Sequence, residues 1–181
     1  MKQIGIMGSM ADLWYNKQVE DVAYQLWSKL AKAGYVLVYG AEKDADSLST
    51  AAARGAKESW WVVMGVTYGK TADIRGEMRK YTDCIVCTGM ERGWGREFVL
   101  VSSCDAIVTI WWWSGTLNEM TVAYQKKIPI VCMKNTGGWS DKMADTYIDD
   151  RYISDPKRYM CYGASDATEA IDYLQKLRKN P

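Results

Sequence analysis

The chain contains no histidine, only three prolines, and a single phenylalanine beside nine tryptophans and twelve tyrosines in 181 residues. Without histidine, Ser-His and Cys-His nucleophile pairs are excluded, and a catalytic zinc site loses its commonest ligand. Any chemistry must run on carboxylates, Arg, Lys, Tyr, hydroxyls or backbone dipoles. A charge excess is also missing: 23 Lys and Arg against 22 Asp and Glu leave a net charge of +1. That balance provides no basic footprint for nucleic acid or for an anionic membrane surface. No apolar run reaches the roughly 18 residues of a membrane span. The N-terminus enters an apolar stretch at once, without the layout of a signal peptide. Five cysteines, an odd number, point to reduced thiols and a cytoplasmic location. Cys84 and Cys87 form a C-x-x-C, but "DCIVCTG" reads as a buried strand. Residues three apart on a strand face opposite ways, whereas redox pairs open a helix, so a structural role is expected.

What is present is regular alternation of short β-rich apolar runs with amphipathic stretches, the pattern of a parallel sheet covered on both faces. Strands are expected near Gln3–Met7, Val36–Tyr39, Trp61–Val66, Cys84–Cys87, Ala106–Ile110, Ile128–Met133 and Arg158–Cys161. Helices are expected to begin near Asn16, Ser47, Ile74, Gly95, Thr116, Trp139 and Asp166. In the first, Val19, Val22, Ala23, Leu26, Leu30 and Ala33 recur at helical spacing, and Gly34 follows as its stop. No linker, low-complexity tract or repeat interrupts the pattern. The expectation is one doubly wound, Rossmann-like α/β domain over residues 1–181, with about seven mostly parallel strands.

In such sheets ligands bind beyond the carboxyl ends of the strands. Four strand ends carry glycine-containing loops there: Gly8-Ser9-Met10, Gly40-Ala41, Thr88-Gly89-Met90 and Ser114-Gly115-Thr116. The candidate ligand-binding set is therefore Gly8, Ser9, Gly89, Met90, Ser114, Gly115 and Thr116. "YGAEKDADSLST" adds Glu42, Asp44 and Asp46. Its D-x-D lacks the spacing of a calcium loop and reads as a solvated helix start, so neither a metal nor a cofactor is expected. "DIRGEMRKY" reads as an exposed helix or a lid, with Tyr68 and Arg75 within possible reach of a ligand.

The fourth loop is preceded by Trp111-Trp112-Trp113. A turn that presents helix N-terminal N–H groups to a phosphate ordinarily needs small residues. The segment Thr88 to Pro129 nevertheless resembles the LOG-like family, also called lysine decarboxylase-like, which carries a Gly-rich Gly-Thr-x-x-Glu motif after a buried strand and an Arg upstream. Gly115, Thr116 and Glu119 match the motif, and Arg96 matches the upstream Arg; a weaker likeness runs from Ile4 to about Met133. The resemblance implies a Rossmann-type fold, a homodimer or larger assembly, and a nucleotide or other phosphate-bearing ligand. It further implies that Gly115 and Thr116 hold a 5′-phosphate. Glu119 would stabilise positive charge at the anomeric carbon of a nucleoside 5′-monophosphate during N-glycosidic hydrolysis, with Arg96 as its orienting partner. A non-catalytic relative in the wider family carries the molybdenum cofactor, so a carrier is the alternative. An ordinary ion pair on the helix surface is the other reading of Glu119 and Arg96.

Against the family pattern, Trp60, Trp61, Trp94, Trp111, Trp112 and Trp113 stand where glycines are expected. Where those glycines held left-handed backbone, each Trp costs on the order of 1–2 kcal/mol. The clustering reads as deliberate change to an engineered scaffold, with nucleotide binding impaired. The resulting aromatic cleft would be plugged by its own indoles or open to a flat aromatic small molecule.

Overall fold

The computed structural model describes residues 2–8, 17–91, 95–111, 113–149 and 160–179. Seven strands form one sheet: β1 (Lys2–Gly8), β2 (Tyr35–Gly40), β3 (Val63–Thr67), β4 (Cys84–Cys87), β5 (Ala106–Ile110), β6 (Ile130–Met133) and β7 (Tyr162–Ala164). Their order is β4-β3-β2-β1-β5-β6-β7, and every neighbouring pair is parallel. The chain thus builds outward from β1 in one direction, returns to its other side with β5, and continues the opposite way. The architecture is the expected α/β Rossmann-like fold, and its reversal of strand order lies between β1 and β5. A cleft opens at such a reversal because the loops on its two sides diverge.

Helices cover both faces. The helices α1 (Lys17–Lys32), α2 (Leu48–Glu58) and α6 (Ala167–Lys179) pack on one face, in a core that includes Ile6, Leu37, Val108 and Val131. On the other lie α3 (Arg96–Ser102) and α4 (Ser114–Gln125), around Met7, Val38, Ile107 and Cys132. Alternate residues of the same strands serve the two cores, which is why these segments read as continuous apolar runs. A short α5 (Gly138–Met143) follows β6. The helices α1 and α2 approach so closely that a Cβ on Gly55 would lie 2.2 Å from the Tyr24 carbonyl oxygen. That glycine is set by packing, against its poor helix propensity.

Local signals explain most boundaries. Ser47 caps α2 through a reciprocal capping box with Thr50, satisfying N–H groups the helix leaves orphaned. Gly34, at φ +85, ends α1 as expected. Three readings are corrected. "DIRGEMRKY" is no α-helix: Gly76–Tyr81 forms a 3-10 helix, largely exposed as expected, with Met78 buried. It is held at its start by the Arg75 N–H donating to the Glu42 carbonyl.

The last strand begins after Cys161, which instead makes an antiparallel bridge to Thr146. The Asp145 carboxylate accepts from the Gly163 N–H, and a Cβ there would require the Lys134 side chain to move. Finally, β4 lies at the sheet edge, so Cys84 and Cys87 are exposed rather than buried, and both are free thiols. Among the described residues no helix is long and apolar enough to cross a membrane.

Candidate functional site

The site is assembled from three strand ends and two helix starts on the α3–α4 side of the β1/β5 reversal. The helix α4 begins directly after β5, with Trp113 as its N-cap residue in extended backbone and no side-chain cap. Uncapped N–H groups of the first turn leave the positive end of the helix open toward the cleft. Gly8 at the end of β1, Gly115, Thr116 and Glu119 from α4, and Arg96 from α3 line one cavity of about 80 Å3, with Trp113 on its wall. A smaller space of about 40 Å3 reaches inward past Gly40, Ser47 and Ser49 to the same Arg96 and Glu119.

Arg96 sits at the first position of α3, where Gly95 supplies a backbone at φ +128. The guanidinium is buried and crosses over the end of β2. A Cβ on Gly40 would lie 2.7 Å from Arg96 Nη1, so glycine at that strand end is required by the guanidinium itself. Arg96 Nη2 donates to Glu42 at 3.0 Å and to Glu97 at 3.2 Å, with all three side chains less than one-tenth exposed. Nη1 is buried with no hydrogen-bond partner among the described residues. Burial pulls the Arg96 pKa down, but the charges of Glu42, Glu119 and Glu97 together outweigh it, and the net direction is upward.

Glu119 lies one and a half turns into α4 and is buried. Its pKa is pushed up to about 8, first by burial and then by the nearby Glu97 and Glu42 charges, with Arg96 opposing. The upward direction favours the protonated carboxyl near neutral pH. The expected partnership of Arg96 with Glu119 is therefore a through-space interaction, while the direct ion pairs go to Glu42 and Glu97. The role of Glu42 was hidden in sequence, because it belonged to an acidic run, and only the approach of β2 to α3 sets it apart. Its neighbours serve locally: Asp46 pairs with Arg54 at 3.3 Å and Arg75 at 3.8 Å, and Tyr68 donates to Asp44 at 3.2 Å. Tyr68 and Arg75 accordingly turn toward this acidic loop. No group of His, Cys, Asp or Glu among the described residues is placed to hold a metal ion.

The other candidates divide. Gly8, Gly115 and Thr116 line the cleft, whereas Ser114 is an exposed residue of the α4 first turn. Gly89 (φ +69) and Met90 sit beyond edge strand β4 and pair with Gly69, outside that cavity. Ser9, Trp94 and Trp112 lie outside the described residues.

Four of the six tryptophans at expected glycine positions are described, and they separate widely. Trp60 and Trp61 precede β3, at the opposite end of the sheet from the cleft, with Trp60 92 % exposed. The expectation that their indoles crowd a ligand is corrected by that placement. Trp113 borders the cleft and is about half exposed. Trp111 turns to the α1 side, against Gly137. Trp60 and Trp111 both hold left-handed backbone, at φ 60 and φ 68, a region that favours glycine.

Fold and site define a Rossmann-like protein with a buried Arg–Glu cluster at the head of an uncapped helix. The chain belongs to the SLOG cluster4 family, whose model matches residues 1–161, in agreement with the LOG-like resemblance of its sequence. An uncharacterized protein of Archaeoglobus fulgidus is 25 % identical over 134 residues, 74 % of this chain and 81 % of that one. Among solved structures, TM1055, a structural genomics target, superposes with a TM-score of 0.82 at 25 % identity, covering 97 % of this chain and 99 % of its own. The molybdenum cofactor carrier protein of Chlamydomonas reinhardtii gives 0.77 at 21 %, covering 98 % of each chain. The molybdenum cofactor binding protein of Rippkaea orientalis gives 0.73 at 20 %, covering 97 % and 96 %. The last two likenesses are of fold.

Proposed function

We propose that this protein binds a phosphate-bearing small molecule without transforming it, in the manner of a carrier. The observation that carries the reading is the uncapped first turn of α4, whose Gly115 and Thr116 line one cavity with the buried Arg96; the upward shift of the Glu119 pKa supports it. A glycosidase of this pattern needs a carboxylate to meet the growing positive charge at the anomeric carbon. Glu119, pushed toward its protonated form, supplies that carboxylate poorly, and the Glu42 and Glu97 carboxylates on the same cavity are tied to Arg96. The protonated form suits a phosphate, which is spared one repulsion and meets the N–H groups of Gly115 and Thr116 at the positive helix end. Arg96 Nη1, buried and without a partner among the described residues, supplies a further donor at the inner wall.

The cleft volumes of about 80 and 40 Å3 suit a phosphate-sized group rather than a whole nucleotide. The remainder of the ligand would extend over the rim, where Trp113 offers a half-exposed ring for a flat aromatic group. The named function of two structural relatives as molybdenum cofactor proteins supports a carrier. Exposed Met90, Phe98 and Trp113 on segments leading into and flanking the cleft support a homodimer that closes over the rim.

The left-handed backbones of Trp60 and Trp111 support the reading that they occupy glycine-type positions. The fit of Gly137 around the Trp111 ring, where a Cβ would lie 2.9 Å from the indole, favours a tryptophan native to this branch over a recently engineered one. Incubation with AMP tests the assignment. Saturable binding with no ribose 5-phosphate is expected at pH 7. Release of ribose 5-phosphate that is abolished by Glu119→Gln would establish the hydrolase instead.

A further inference from the structure

A larger space among the described residues is separate from this cleft. A groove of about 440 Å3 lies on the α1 side of β5, between α1 and the loop after β6, lined by Gln18, Val22, Trp111, Asn135 and Thr136 among others. It shares Gln18, Val22, Asn135 and Thr136 with a second space of about 290 Å3 that runs on past Gln25 and Lys29. Together they reach the size of a small-molecule site, beyond the carboxyl ends of β5 and β6 where this fold class binds ligands.

The walls are held by a polar framework, buried at Thr136 and Ser140 and exposed at Asp141. Thr136 Oγ1 accepts from the Trp111 N–H at 3.1 Å and donates to the Met133 carbonyl at 2.8 Å. Ser140 Oγ lies 2.9 Å from the Thr109 carbonyl and 3.0 Å from that of Met133. The Asp141 carboxylate accepts from the N–H groups of Asn135 at 2.6 Å and Gly137 at 2.7 Å. Within this framework two non-glycine residues are kept in left-handed backbone side by side, Trp111 at φ 68 and Asn135 at φ 61. The Trp111 indole N–H is buried without an acceptor among the described residues. Gly137, itself at φ +96, is required because any Cβ would collide with the ring. Strain and an unsatisfied donor held by their surroundings in this way mark sites where a particular side chain is needed in a particular place.

We propose that this groove is a second ligand site, which takes a planar nitrogen heterocycle packed against Trp111. The chemistry of the walls selects that class. One aromatic side chain offers a packing surface, while the primary amides of Gln18, Gln25 and Asn135 present donors and acceptors together. Such amides match the alternating ring nitrogens, carbonyls and amino groups at the edge of a heterocycle. These amides are exposed and can exchange water for the polar edge of a heterocycle, which a hydrocarbon ring does not offer. The site stands independently of phosphate binding, because Trp111 and the Glu119 cleft lie on opposite sides of β5.

The test uses adenine and hypoxanthine as probes, with toluene as the ring lacking a polar edge, followed by ligand-observed NMR titration of the full chain. At least one heterocycle is expected to bind saturably, while toluene does not. Saturating inorganic phosphate is expected to leave that affinity unchanged. Trp111→Gly and Asn135→Gly each relieve a left-handed backbone, so both should keep the fold, as a thermal melt checks. Each is expected to weaken the heterocycle about three- to tenfold, the worth of an aromatic contact or a hydrogen bond. Absence of saturable binding by either heterocycle, equal binding of toluene, competition by phosphate, or full affinity in both variants would overturn the proposal. Phosphate binding at α4 is read separately, so either site can fail alone.

Discussion

Replacing Arg96 by Met is expected to destabilise the fold by about 3–5 kcal/mol at pH 7, the range for stranding buried charges by removing one partner. The Arg96 pairs with Glu42 and Glu97 are both more than nine-tenths buried, and Met fills much of the space without neutralising either carboxylate. Glu119 loses its one favourable charge as well. Adding Glu42→Gln to the same chain removes one stranded charge and should recover part of the loss. Urea denaturation of the single and double variants measures both effects. A loss below about 1 kcal/mol, as for an exposed pair, would show that the cluster is solvated and that Arg96 does not organise the cleft.

The second large effect concerns Glu119→Gln, and its sign depends on pH. The folded protein holds the Glu119 proton up to about pH 8, whereas the ordinary value is 4.5. Between those values the folded state binds more protons than the unfolded chain, so stability falls as pH rises. The contribution is fully present below pH 4.5 and is lost as pH passes 8. Gln keeps the shape and carries no charge. The variant should therefore behave nearly like wild type at pH 5 and gain relative stability from pH 5 to 8, levelling off above pH 8 at on the order of 3–5 kcal/mol. Melting curves at pH 5, 7 and 9 measure it. A variant destabilised equally at all three would show that Glu119 is ionised throughout, and the hydrolase reading would gain.

Much of this architecture was legible from residue pattern. The strands at Cys84–Cys87 and Ala106–Ile110 coincide with the expected spans, and Gly34, Ser47 and Gly95 mark helix ends because glycine freedom and hydroxyl caps act locally. The last strand was misplaced because its register is set by a distant group, Asp145 accepting from Gly163. The edge position of β4 is equally invisible in a four-residue apolar run. At the site, Glu119, Arg96, Gly115 and Thr116, which the family resemblance named, line one cavity. Glu42 did not stand out, since only the crossing of Arg96 over Gly40 separates it from Asp44 and Asp46. The tryptophans were the hardest to place. Identical residues at Trp111 and Trp113 face different sides of β5, and Trp60 lies at the far end of the sheet, facts that follow from backbone angles rather than composition.

The central claim is an anion held at the start of α4 beside a protonated Glu119. Calorimetric titration of AMP at pH 7.5 and 9.5 tests it directly, because the ligand phosphate is a dianion at both. Ionising Glu119 across this interval places a new negative charge in a buried cleft, and affinity is expected to fall at least tenfold at pH 9.5. The Glu119→Gln chain is expected to lose little over the same range. Binding that is equally tight at both pH values in the unmodified chain, or no binding at either, would contradict the account.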